Sequence, residues 1–231
     1  MVKNHKFSKM VIYMESCHSG SMLYQLSERN VYGVTACKPD DKDYACFLDE
    51  TRNTCLADLF SYVWLNHTER VNTCSTSFGQ QFIYVKEQVS KAAKKKGESQ
   101  TPCNYGDMGM LKVMLSEFLG VSFASFFKRY MPKPLDFLLS DVVDTTEVPL
   151  IIQENRIKNE QDPEKRQALQ RQYDDLKRKR KIVDEALQKI AERTNASRAL
   201  TEKREVTQTY KLKLVAEHFR KNLFNWEKEQ V

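Results

Sequence analysis

The sequence predicts an α/β fold, a parallel sheet flanked by helices and followed by an α-helical segment. Residues 10–14 and 30–36 are runs of apolar, β-branched and aromatic side chains that read as strands, with a short helix-forming stretch between them. Strand, helix and strand in succession point to parallel pairing with helices on the sheet faces. Beyond Asp162 the period changes: Leu169, Tyr173, Leu176, Val183, Leu187 and Ile190 recur three and four residues apart, with Arg180 filling one seam position. That spacing predicts one long amphipathic helix.

A chain of 231 residues, 41% hydrophobic and 29% charged, can bury one substantial core and carry a small second unit. No stretch approaches the ~20 apolar residues of a membrane span. Residues 1–8 are polar and the apolar run after them is short, so no secretory leader is expected, which taken literally describes a cytosolic chain. The formal charge of +6 concentrates at residues 91–96 and 177–181, neither interleaved with base-stacking aromatics. Solvated or internally paired faces are expected there, and nucleic acid is not expected as a partner. The six cysteines show no paired spacing and the four histidines do not cluster with them, so neither a metal site nor a cofactor is expected.

In chain order, residues 10–14 are expected as a buried strand that stops at Glu15-Ser16-Cys17-His18-Ser19-Gly20, where small and polar residues take over and Gly20 lets the chain turn. Cys17 then lies at the carboxyl end of a strand, where open α/β sheets place their ligands; the alternative is a small buried hydrophobe. A short helix over residues 22–27 leads to the second strand. Residues 37–43 are expected as a loop, because Pro39 cannot join a ladder and the charges favour water. Helical spacing of Phe82, Val85, Val89 and Ala92 predicts a helix over 78–96, and 97–102 is expected as a surface loop. Residues 111–127 are apolar. Pro132, Pro134, Asp136, Asp141 and Asp144 mark a linker, with a boundary near Val148-Pro149. Asp162-Pro163-Glu164 is a good helix start, combining a capping side chain, Pro at the first helical position and an acid at the positive end of the dipole. A last helix over 206–226 offers Tyr210, Leu214, His218, Leu223, Phe224 and Trp226. Asn66 and Asn195 open N-glycosylation sequons, weak support for a secreted or lysosomal protein.

Glu15-Ser16-Cys17-His18-Ser19-Gly20-Ser21-Met22, after Lys9-Met10-Val11-Ile12-Tyr13-Met14, closely resembles the nucleophile segment of the legumains, asparaginyl endopeptidases among the caspase-like cysteine peptidases. The family's usual form has Ala and Glu where this chain has Ser16 and His18. Tyr44-Ala45-Cys46, Asp49-Glu50, and Leu56-Ala57-Asp58 with Trp64 beyond resemble the family's next motif, Ala57 standing where Gly is usual; Asn104-Tyr105-Gly106-Asp107 resembles a third. The resemblance implies a partial caspase-like sheet, Cys17 as nucleophile, and Glu15 and Asp58 as acidic walls of a pocket for an asparagine side chain. Asp58 read alone is an N-cap or surface carboxylate. In such a pocket carboxylates accept from the substrate amide while a basic residue opposite donates to its carbonyl.

The later segments resemble the family's activation peptide and helical prodomain: Pro149-Leu150-Ile151-Ile152 its start, Asn159 the processing asparagine, and His218-Phe219-Arg220 with Phe224-Asn225-Trp226 the later helices. The implied division is 1–148, the C-terminal part of the peptidase domain; 149–165, the processing segment; and 166–231, a partial prodomain acting as intramolecular inhibitor. The family's catalytic His-Gly lies upstream of the cysteine and has no counterpart in the residues before Cys17, so this chain alone is expected to lack its base. The implied function is hydrolysis after Asn, less often Asp, in a lysosomal, vacuolar or secreted full-length form. The alternative is a non-catalytic pseudo-peptidase that binds a partner. An incomplete sheet would also expose a strand edge, with poor solubility of this piece alone.

Overall fold

The computed structural model describes residues 6–121, 142–202 and 208–222. His5, Pro132, Pro134, Asp136, Asp141, Leu223, Phe224, Asn225 and Trp226 lie outside the described residues. The chain divides into two compact units, Met1–Arg180 and Lys181–Val231.

In the first unit β1 (Met10–Met14) runs parallel to β2 (Val31–Thr35), in a register pairing Met10 with Val31 and Met14 with Thr35. Between them lies a loop and the single-turn helix α1 (Gly20–Leu23), shorter than the 22–27 expected and starting earlier. β2 is buried along its whole length because it is the middle strand; β5 (Cys103–Gly106) pairs antiparallel on its far side. β1 was expected to be buried, but it is an edge among the described residues and all five of its residues are half-buried. A second, antiparallel sheet has β3 (Tyr44–Asp49) between β4 (Thr54–Asp58) and β6 (Val143–Asp144). The fold is α/β as expected, the parallel pairing being that of β1 with β2.

Two helices cover the first sheet, α2 (Leu59–Arg70) and α3 (Phe78–Lys95). A reciprocal capping box opens α3: Gln80 N–H donates to the Ser77 hydroxyl while the Ser77 N–H donates to the Gln80 side chain. The core joins Tyr32 and Val34 of β2, Leu59, Phe60 and Val63 of α2, and Phe78, Val85 and Val89 of α3. Tyr13 of β1 stacks on Trp64 at 4.3 Å between ring centroids, and its hydroxyl donates to Gln81. The predicted surface loop after α3 is not wholly at the surface. Gln100 is 1% exposed, because its amide donates to the Ala36 carbonyl at 3.2 Å and to Asp43 at 2.6 Å.

α5 (Val148–Asn159) follows the four-residue α4 (Ser116–Leu119) and β6 in the described chain, and carries Pro149 in its first turn, where a missing N–H costs nothing. The long helix arrives as predicted: α6 (Pro163–Arg193), with the Glu164 and Lys165 N–H groups capped by the Asp162 carboxylate. Arg180, the one charged seam position, donates to Glu147 at 3.1 Å and to the Thr146 carbonyl at 2.6 Å. The compact-unit boundary therefore falls inside α6, after Arg180. In the second unit α6 continues and α7 (Thr209–Asn222) follows; no residue of α7 is buried. Among the described residues no helix is long and apolar enough to cross a membrane.

Candidate active site

Just past β1 the chain enters a tight loop that holds Cys17. Gly20 was expected to make the turn; instead His18 adopts the left-handed conformation at φ 60. Gly20 serves close approach, since a Cβ there would stand 2.7 Å from Pro39 Cδ and 2.9 Å from the Cys37 carbonyl. The segment after β2 holds this loop in place. His18 N–H donates to Asp41 O, Gly20 N–H to Cys37 O, and Cys37 N–H to the Ser19 hydroxyl at 3.2 Å. Cys37 itself is fully buried and its thiol donates to the Ser16 and Asp41 carbonyls; burial pushes that thiol's pKa up.

Cys17 is half-buried. The Asp43 backbone N–H donates to its Sγ at 3.3 Å, and the Thr145 hydroxyl lies 2.9 Å from it. Thr145 Oγ1 also donates to the Asp43 carbonyl at 3.3 Å, so the strand end before β3 and the turn before α5 together enclose the thiol. The N–H of Cys17 has no hydrogen-bond partner among the described residues.

The two carboxylates expected beside the cysteine are brought together. Glu15, directly after β1, accepts the Ser61 N–H at 3.2 Å. Asp58 closes β4 and stands at the N-cap position of α2, but its side chain makes no capping bond. A third carboxylate joins them: one oxygen each of Glu15, Asp43 and Asp58 lie within 4.8 Å of one another. Asp43 was placed in a solvated loop and is 1% exposed. Its Oδ1 accepts the Tyr44 N–H at 2.9 Å and the Gln100 amide at 2.6 Å, whereas its Oδ2 is buried without a partner. A charge run such as residues 38–43 hides which member turns inward; the signal was an acid immediately before a strand, paired with a distant glutamine.

Proximity shows in the proton affinities. Burial, then the charges of Asp43 and Asp58, push Glu15 up to about 8. Asp43 is pushed up to about 6 by burial and then by Asp58, and burial raises Asp58 as well.

Each described histidine has a partner other than the thiol. His18 Nδ1 lies 3.1 Å from the Pro39 carbonyl, His67 packs on Tyr84, and His218 pairs with Asn222. Among the described residues no imidazole is bonded to Cys17 Sγ. Asn159 ends α5 away from the cysteine and donates to Glu50 at 3.3 Å, in a polar cavity of about 440 Å³ lined also by Arg156, Glu160 and Lys165. Asn66 lies within α2, where the Thr68 hydroxyl of its sequon is engaged by Trp64 O and Gln81, and Asn195 is exposed after α6.

Comparison with known proteins gives the site a context. The Peptidase C13 family matches residues 1–121. Legumain of Homo sapiens is 28% identical over 233 residues, 98% of this chain and 51% of its own length. A hemoglobinase of Schistosoma japonicum is 38% identical over 121 residues, 51% of this chain and 27% of its own. The vacuolar-processing enzyme delta-isozyme of Arabidopsis thaliana is 28% identical over 222 residues, 88% of this chain and 46% of its own. The chain spans about half the length of the legumains it matches.

Proposed function

This chain belongs to the peptidase C13 family, and from that we propose that its full-length form is a cysteine endopeptidase cleaving after Asn, less often Asp, with Cys17 as nucleophile. The carrying observation is the juxtaposition of Cys17 with Glu15 and Asp58 through Asp43, whose backbone N–H reaches the thiol and whose carboxylate joins theirs. The Cys17 sulfur attacks the substrate carbonyl; the amine leaves with a proton and water releases the acyl group from the thioester. The Cys17 N–H, unpartnered in the structure, is suited to the developing oxyanion. Glu15 and Asp58 accept from the substrate amide. The base is the part that the described residues do not bring to the thiol, and this favours an inactive chain when tested alone.

Latency fits the same geometry. Thr145 sits against Cys17 just before α5, and Arg180 of α6 ties down Thr146 and Glu147. Residues 149–165 act as the processing segment and 166–231 as part of the inhibitory prodomain, which cleavage after Asn159 releases. We place the full-length form in a lysosomal or vacuolar compartment, in keeping with the name of the vacuolar-processing relative. The second reading, a pseudo-peptidase that binds without cleaving, is favoured by every described histidine having a partner other than Cys17.

The test is hydrolysis of a peptide with Asn before the scissile bond, at mildly acidic pH, by the full-length form, by this chain and by Cys17→Ala in each. Turnover by the full-length form that Cys17→Ala abolishes supports the peptidase. No turnover from a folded, processed full-length form supports the pseudo-peptidase. In the same series Asn159→Ala leaves the full-length form unprocessed at acid pH; normal maturation at the same position would remove Asn159 from the mechanism.

A further inference from the structure

β6 lies on β3 as a bound peptide strand would. Val143 pairs with Ala45 and Asp144 with Tyr44 in an antiparallel ladder, and the Thr145 N–H continues it by donating to the Asp43 carbonyl at 3.4 Å. The chain then meets the thiol, with the Thr145 hydroxyl 2.9 Å from Cys17 Sγ. Main-chain pairing to a strand holds any sequence, and side chains beside the ladder supply the selectivity. A peptide that displaces β6 and runs in the same direction brings one residue to the sulfur at the place of Thr145. The residue before it takes the place of Asp144.

Lys42 is the side chain that meets this preceding position. Its ammonium pairs with the Asp144 carboxylate across the β3–β6 edge. Lys42 stands two residues before Tyr44, the ladder partner of Asp144, and a long side chain reaches such a diagonal neighbour. Asp144 first, then Glu98 and an ionised Cys17, raise the proton affinity of Lys42, so its charge is felt at the sulfur as well as at the strand. The Lys42 side chain is 51% exposed and that of Asp144 18%, which makes the pair a modest, solvent-screened one.

We propose that Lys42 is a specificity-determining residue that selects peptides with Asp or Glu immediately before the residue at the scissile bond, the acid taking the place of Asp144. This rests on the peptidase reading above. An acid there restores the ion pair that a substrate breaks on displacing β6. An uncharged residue leaves Lys42 to water or to Glu98, and a lysine repels it.

The experiment measures kcat/KM for the processed full-length form on three peptides that share Asn at the scissile bond and differ only in Asp, Ala or Lys before it. At low ionic strength the Asp peptide is cleaved about 3-fold better than the Ala peptide and about 10-fold better than the Lys peptide, and ~0.5 M salt narrows both gaps. Lys42→Glu inverts the order, which a merely loosened site cannot do; Lys42→Gln levels it and serves if Lys42→Glu does not fold. Equal cleavage of the three, or an order that neither variant changes, overturns the proposal and leaves the peptidase standing. Where no peptide is cleaved, the same three peptides, fluorescently labelled, are titrated onto that protein and followed by anisotropy. Affinity that falls from Asp to Ala to Lys and inverts in Lys42→Glu upholds the selection by Lys42 and overturns the peptidase alone. Equal affinities, or no binding, overturn both.

Discussion

Glu15 ties the stability of the chain to pH. Its carboxyl holds a proton more tightly folded, at about 8, than unfolded, near 4.5. The stabilisation is therefore complete below 4.5 and fades as pH climbs through 8. At about 1.4 kcal/mol per pKa unit, and discounted for a half-buried group, the loss between pH 5 and 8 is ~2 kcal/mol, a fall in Tm of roughly 4–8 °C for a chain of this size. Thermal unfolding by circular dichroism at the two pH values should show it, and Glu15→Gln, which cannot ionise, should flatten the difference. An equal fall in Glu15→Gln would assign the effect to other groups. Cys17, Glu15 and Asp58 could be put forward as site candidates from the sequence because the residues flanking them resemble a family's motifs. Asp43 could not, since its burial depends on Gln100, a residue 57 positions away in a stretch whose composition reads as solvated.

At the scale of elements, strands and long helices were legible and turns were not. Residues 10–14, the second strand and α3 declared themselves by β-branched runs and by spacing, and Asp162-Pro163 marked the start of α6. The loop holding Cys17 was misread because glycine was credited with a turn that His18 makes. Which glycine is indispensable is a matter of neighbours. Gly106 combines φ 88 with a Cβ position 2.3 Å from the Val31 carbonyl oxygen, so the β2–β5 pairing has no room for a methyl group. Gly97 shares the backbone conformation, φ 76, with open space around it. Gly106→Ala should cost ~3 kcal/mol and Gly97→Ala ~1 kcal/mol, read as Tm differences against the wild type. Equal costs would mean that backbone strain alone governs both positions.

For the whole molecule, β1 leaves its side away from β2 unpaired among the described residues. Met10 N–H and Met14 C=O pair with the β2 side, so by the alternation of a parallel ladder Val11 and Tyr13 point their N–H groups to the open edge. The chain alone should self-associate through that edge at micromolar concentration. Val11→Pro deletes one outward donor without touching the β1–β2 ladder, and should shift the sedimentation profile toward monomer. An unchanged profile would place the association elsewhere. The enclosure of Cys17 has a practical consequence for anyone counting reactive sites. None of the six cysteines is in a disulfide, yet the exposed one is Cys74, while Cys37 and Cys46 are buried and Cys17 is screened by Thr145. A colorimetric titration with a bulky aromatic disulfide reagent should therefore give a fast phase that belongs to Cys74 and vanishes in Cys74→Ser. Read as a census of competent molecules, that burst would score a bystander.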